Sequence, residues 1–217
     1  MKIALIGATG YIGSALLAEA VARGHEVTAL VSHPEKVPAG ERVHAVRADV
    51  QDAAALEMQL TGMEVVISAF SGHAQQDVYG YYVRGIESVI AAVKSAAGAS
   101  AQPPRLLVVG GAGSLDVAPG VQLVDTPAFP AQWKATAEGA RQALTLLRAE
   151  PALDWTMLSP AAHLEPGERT GQFRLGADQL LVDGEGNSRI SVQDFAVAML
   201  DEVERPAHRR ARFTAAF

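Results

Sequence analysis

Lys2-Ile3-Ala4-Leu5-Ile6-Gly7-Ala8-Thr9-Gly10-Tyr11-Ile12-Gly13 opens the chain with an apolar run, a glycine turn and the start of a helix. From Tyr11 to Arg23 the apolar residues Ile12, Leu16, Leu17 and Val21 keep a helical spacing, and Gly24 ends it. Each glycine of the turn has its own task. Gly7 permits the tight bend, Gly10 lets backbone approach a bound group, and Gly13 lets the helix lie close on the strand. A dinucleotide pyrophosphate placed there would meet free N–H groups and the positive end of the helix dipole. The same glycines could serve only to pack helix on sheet, but the setting between apolar strand and amphipathic helix favours the dinucleotide.

Outward from this motif, apolar runs recur at Val27–Val31, Val43–Val46, Val65–Ala69, Leu106–Val109 and Thr156–Leu158. Between most of them lie helix-length stretches: Asp52–Leu60, Tyr79–Ala97 and Ala131–Ala149. Strands apolar on both faces that alternate with helices predict a Rossmann-type, doubly wound parallel α/β sheet of order 3-2-1-4-5-6. A last helix is expected over Asp194–Val203 and a C-terminal strand over Phe213–Phe217. Gly98–Pro104 reads as a plain connection. Two irregular regions stand out. Gly110–Pro130 carries three prolines and no period, and loops of that length are usually lids or binding loops. Ala161–Arg189 is glycine-rich, with a small hairpin expected around Gln179–Asp183. The expectation is one NAD(P)-binding domain over residues 1–217, with 111–130 as lid and 161–190 as a small substrate-side elaboration.

Composition narrows the possibilities. A chain of 217 residues, 49% hydrophobic and 19% charged, can bury a core unaided. With no cysteine, disulfides, thiolate metal sites and cysteine nucleophiles are excluded. Eighteen basic against 24 acidic residues give a net charge of −6, which argues against nucleic acid as a partner. The basic cluster Arg209, Arg210 and Arg212 reads as a solvated helix-to-strand turn. No apolar stretch approaches the roughly 18 residues of a membrane span, and Met1–Ile6 is too short for a signal sequence, so a cytoplasmic protein without membrane contact is expected. The six histidines show no i, i+4 pair, so no metal site is expected.

Later segments sharpen the picture. The opening motif resembles the G-x-x-G-x-x-G start of extended and atypical short-chain dehydrogenase/reductases. Leu107-Val108-Val109-Gly110-Gly111-Ala112-Gly113-Ser114-Leu115, Leu123-Val124-Asp125-Thr126-Pro127 and Leu158-Ser159-Pro160-Ala161-Ala162 are similar to the NADH-flavin reductase branch, related to NmrA-like proteins and biliverdin reductase B. Gly167–Gly171 and the run Asp178–Ser191 fit it too. The resemblance implies that Gly7, Thr9, Gly10, Tyr11, Ile12 and Gly13 wrap the pyrophosphate and that Asp49 and Val50 touch the adenine. It implies that Ala69, Phe70 and Ser71 line the nicotinamide ribose, and that Gly111, Ala112, Gly113 and Ser114 together with Pro160, Ala161, Ala162 and His163 surround the nicotinamide. Asp49 could instead cap the helix near Asp52, and Phe70 could be core.

Carbonyl reductases of this superfamily generally use a Tyr-x-x-x-Lys pair, the tyrosine delivering a proton and the lysine lowering its pKa. Four residues after Tyr11, Tyr79, Tyr81 and Tyr82 stand Ala15, Val83, Gly85 and Ile86, so the pair is absent. Relatives in this branch often have a tyrosine before the lysine of the lid helix; here Trp133 precedes Lys134. The expected activity is therefore direct hydride transfer from NAD(P)H to flavin, FMN for instance, or a similar planar acceptor, with His163, Ser114 and Lys134 as catalytic candidates; His163 could instead only pack over the acceptor, and Phe129 and Trp133 could form an aromatic wall or a core-facing pair. The alternatives are an NmrA-like redox sensor without turnover, and a quinone or small-carbonyl reductase or isomerase. No acid ends the second strand at Ala29–His33, and Ser32, His33 and Lys36 could donate to a 2′-phosphate, so NADP is expected over NAD, with Glu35 as contrary evidence.

Overall fold

A computed structural model describes residues 1–96 and 103–217. The expected connection at Gly98–Pro104 and the end of the helix expected to reach Ala97 lie largely outside the described residues. In chain order the strands are β1 (Lys2–Ile6), β2 (Glu26–Val31), β3 (Val43–Arg47), β4 (Val65–Ser68), β5 (Arg105–Val109), β6 (Asp116–Ala118), β7 (Val121–Gln122), β8 (Trp155–Pro160), β9 (His163–Glu165), β10 (Arg174–Gly176), β11 (Arg189–Ser191) and β12 (Ala211–Ala216). The helices are α1 (Tyr11–Ala22), α2 (Ala53–Leu60), α3 (Val78–Ser95), α4 (Lys134–Arg148) and α5 (Val192–Glu204).

The main sheet has eight strands in the order β10-β12-β8-β5-β4-β1-β2-β3. Read from β3, this is the expected 3-2-1-4-5-6 sequence followed by the C-terminal strand. All pairs are parallel except β10 with β12. The alternation of β1 shows why both faces are covered. Ile3 and Leu5 join a cluster with Leu16 of α1 and Phe195 and Met199 of α5, whereas Ala4 and Ile6 join Leu56 of α2, Ile86 of α3 and Leu144 of α4. Among the described residues no helix is long and apolar enough to cross a membrane.

The substrate-side region departs from expectation. No hairpin forms at Gln179–Asp183; β10 pairs with the end of β12, and Gln179 bridges to Asp116 beside β6. The cause is electrostatic. Asp178 is held by Arg212, Nε to Oδ1 at 2.8 Å, and by Arg148 at 3.2 Å, so the segment is drawn toward α4 and β12 rather than folded on itself. Arg212 corrects a second expectation, because its side chain is buried and not solvated. The nominal loop 110–130 is also built, with a 3₁₀ turn at Ala112–Ser114, the antiparallel β6–β7 pair and a second 3₁₀ turn at Leu123–Asp125. Arg141 of α4 grips Asp125 at 3.0 and 2.8 Å.

The stretch after β9 is tied to α1 and α5. Buried Glu19 accepts from Arg169 twice at 2.7 Å and from Arg23 at 2.7 Å. The Arg169 hydrogen bonds, against the opposing effect of burial and with help from Arg23, hold the Glu19 carboxyl below its ordinary range.

Candidate functional site

Gly7 adopts φ +81° and donates its N–H to Leu30 O at 3.0 Å; a side chain there would meet the Phe70 backbone at 2.8 Å. A Cβ on Gly13 would lie 2.0 Å from Gly7 O. Helices α2, α3 and α5 are capped by the side chains of Asp52, Asp77 and Ser191, whereas α1 begins at Gly10 with no side-chain cap. Its first-turn N–H groups are therefore left for a ligand, in a cradle that added Cβ atoms would fill. The residues present fit a dinucleotide.

Beside this turn a cavity of about 790 Å³ opens at the C-terminal ends of β4, β5 and β8, the place where open α/β sheets bind ligands. Of the residues singled out from the sequence, Tyr11, Ile12, Ala69, Phe70, Ser71, Gly111, Ala112, Pro160 and His163 line it. So do Phe129 and Trp133, which are not a core pair. Phe70 stacks on Tyr82 with ring centroids 5.0 Å apart, and the ring lies so close to Gly85 of α3 that a Cβ there would come within 2.6 Å of it. Phe70 is thus both packing and cavity wall. Burial pushes the Tyr82 hydroxyl far above the phenol range. Tyr11 reaches over from α1 to donate to Leu164 O in β9 at 3.4 Å; burial first, then nearby Glu165, raises its hydroxyl.

Other expected residues lie apart from the cavity. Gly7, Thr9, Gly10 and Gly13 form the turn beside it. Ser32, His33 and Lys36 are exposed beyond the end of β2, and His33 Nδ1 sits 3.1 Å from Glu35 Oε1. Asp49 turns its carboxylate onto Gln51 N at 2.9 Å and does not cap α2; Asp52 does, accepting from Ala55 N at 3.0 Å. Val50 is buried in the core. Two catalytic candidates do not fit their placement. Ser114 is only 1% exposed, and its Oγ lies 3.0 Å from the buried Arg212 guanidinium, which also donates to Ser114 O at 2.8 Å. Lys134 is exposed on the first turn of α4 and is not among the lining residues.

One imidazole escaped the sequence reading. His73, in the loop after β4, lines the cavity with Nδ1 3.2 Å from Thr136 Oγ1 of α4 and its ring edge-on to Trp133 at 5.6 Å and 89°. Its partners lie some sixty residues on, so local spacing gave no signal. Glu165, also unremarked, is the cavity's carboxylate.

The model of the NAD(P)H-binding family matches residues 7–203. The chain belongs to that family. Its cofactor is a nicotinamide dinucleotide, and the resemblance to NAD(P)H-binding proteins of the NADH-flavin reductase branch is borne out. It is 40% identical to the uncharacterized protein YwnB of Bacillus subtilis over 99% of this chain and 97% of that one. A solved structure of a candidate epimerase from Bacteroides thetaiotaomicron is 43% identical with a TM-score of 0.91, covering 100% of this chain and 96% of its own. The Streptococcus pneumoniae protein SP1627, named as a candidate NADH-flavin reductase, is 35% identical with a TM-score of 0.85, covering 100% and 99%. The two names point to different reactions, so the choice falls to the site.

Proposed function

We propose that residues 1–217 form one NAD(P)-binding domain that reduces flavin, or a similarly flat conjugated acceptor, by direct hydride transfer, with NADPH preferred. The observation that carries this is the aromatic lining of a cavity adjoining the glycine turn, with no tyrosine–lysine pair in it. The bound nicotinamide would supply the hydride. The chain's own part is to hold, orient and exclude water. The Gly7–Gly13 turn and the N–H groups opening α1 would hold the pyrophosphate, and Ala69, Phe70 and Ser71 would meet the ribose. Asp49 and Val50, after β3, would lie toward the adenine, and Ser32, His33 and Lys36 toward a 2′-phosphate. Gly111, Ala112 and Pro160 would border the nicotinamide. Segment 111–130 would act as a lid, with Phe129 and Trp133 against the flat face of the acceptor. Segment 161–190 would bring His163 to the cavity wall. His73 and His163 are the two imidazoles able to pass a proton to a reduced ring.

NADPH consumption by purified protein, with FMN, riboflavin and a quinone offered in parallel, tests this reading. Acceptor-dependent oxidation is expected. Tight NADP⁺ binding without oxidation by any acceptor would overturn it in favour of a redox sensor.

A further inference from the structure

The charge of the cavity wall bears on which acceptor enters. Among the described residues that line it there is no lysine or arginine, and Glu165 is the one carboxylate. The six residues outside the described set, 97–102, contain no basic side chain either. Phosphoryl groups are ordinarily held by Arg, Lys or open helix N-termini. The opening of α1 faces the glycine turn, where the cofactor's own pyrophosphate would sit. At α3 the carboxylate of Asp77 takes the Gly80 amide at 2.8 Å. At α4, which has no side-chain cap, Trp133 N donates to Pro130 O at 3.1 Å and Lys134 N to Ala131 O. Arg189 faces a smaller pocket of about 260 Å³ that shares His163 and Glu165 with the main cavity, but it stands there with both Glu165 and Glu168.

We infer that the acceptor site selects uncharged planar molecules, riboflavin-like or quinoid, and rejects their phosphorylated forms, with Glu165 as a specificity-determining residue. This rests on the reductase reading above and names its substrate class. Riboflavin and FMN carry the same ring and differ in a terminal phosphate of nearly two negative charges. That phosphate would enter a wall whose fixed charge is negative, beside a cofactor that is itself anionic. Tyr11, Tyr82, His73 and His163 are the other titratable groups on the wall, and Lys134 and Arg84 are exposed on the helices that border it.

The test compares riboflavin with FMN at about pH 8, above the ordinary imidazole range. Steady-state NADPH oxidation is one readout, and quenching of flavin fluorescence by NADP⁺-loaded protein is the other. The expected result is a kcat/KM and an affinity at least about tenfold in favour of riboflavin, equivalent to ~1.4 kcal/mol. Glu165→Gln should narrow that ratio, and raised salt should narrow it further toward the value of the variant. FMN equal to or better than riboflavin overturns the inference while leaving the reductase reading intact. An FMN preference lost in Lys134→Ala would overturn it too and place the phosphate at the mouth. If neither flavin nor a quinone is reduced, the reductase reading fails, and the binding readout still decides the charge rule. Binding of neither flavin, with no quinone reduced, overturns both.

Discussion

Gly10 and Gly13 stand three residues apart in one turn, yet substitution by alanine should break different things. At Gly13 a Cβ would lie 2.0 Å from Gly7 O and 2.8 Å from Gly7 C, both main-chain atoms that cannot swing aside. To reach an ordinary contact α1 would have to move off β1 by more than an ångström, while Leu16 of α1 is fully buried in the core it shares with α5. Overpacking costs ~1–3 kcal/mol where side chains can adjust, so ~3 kcal/mol or more is expected against rigid backbone. For a chain of this size that lowers Tm by about 6–12 °C. At Gly10 the φ of −75° suits any residue, and a Cβ would come no closer than 3.3 Å to Gly7 O. Stability should change by less than ~1 kcal/mol, since the loss at the cap position is offset by a stiffer unfolded chain. The methyl of Gly10→Ala would nevertheless stand where the pyrophosphate approaches the backbone, and cofactor affinity should fall by about 100-fold, ~2.7 kcal/mol. Thermal unfolding and calorimetric titration with NADP⁺ on both variants separate the two effects. An unchanged Kd for Gly10→Ala, or equal destabilisation by the two variants, would refute this account of the turn.

Other consequences follow from single contacts. Phenylalanine in place of Tyr11, Tyr79, Tyr81 or Tyr82, one at a time, should leave kcat within about an order of magnitude, because loss of a general acid costs about 10²–10⁴-fold; a drop of that size in one variant with cofactor affinity intact would restore conventional dehydrogenase chemistry. Glu35, held ionised first by its own backbone amide and then by His33 and Arg47, faces the proposed 2′-phosphate site, so Glu35→Gln should raise the NADPH-to-NADH ratio of kcat/KM by up to about fivefold. Buried Glu202 joins Arg105 to His208, with His208 Nδ1 at 2.8 Å; burial raises its carboxyl, but the His208, Arg105 and Ala207 hydrogen bonds outweigh that and leave it lowered. Its stabilising contribution is therefore complete above the ordinary carboxylate range and lost as pH falls through the folded value. Urea unfolding across pH 3–7 should show Glu202→Ala costing ~3–5 kcal/mol at neutrality and a flatter acid limb than wild type.

How much of this could be read from the sequence depends on how far each contact reaches along the chain. The glycine turn and the strand order were legible because they rest on neighbours a few residues apart and on the alternation of buried strands with helices. Helix caps were nearly legible: Asp49 and Asp52 are three residues apart, and only the backbone decides that Asp52 caps α2 while Asp49 closes its own turn. His73 was illegible because Thr136 and Trp133, which place it, lie on another element. Ser114 shows the same limit in reverse. Gly111 and Ala112 reach the cavity as expected, but the 3₁₀ turn at Ala112–Ser114 carries the serine round to the side where Arg212 stands. Arg212 is 98 residues away and reads from sequence as solvated surface charge. A buried guanidinium needs acceptors, and Ser114 O, Ser114 Oγ and Asp178 supply them. The hydroxyl suggested by the motif therefore fastens β12 to the segment that follows β5, and the imidazoles on the cavity wall are those of His73 and His163.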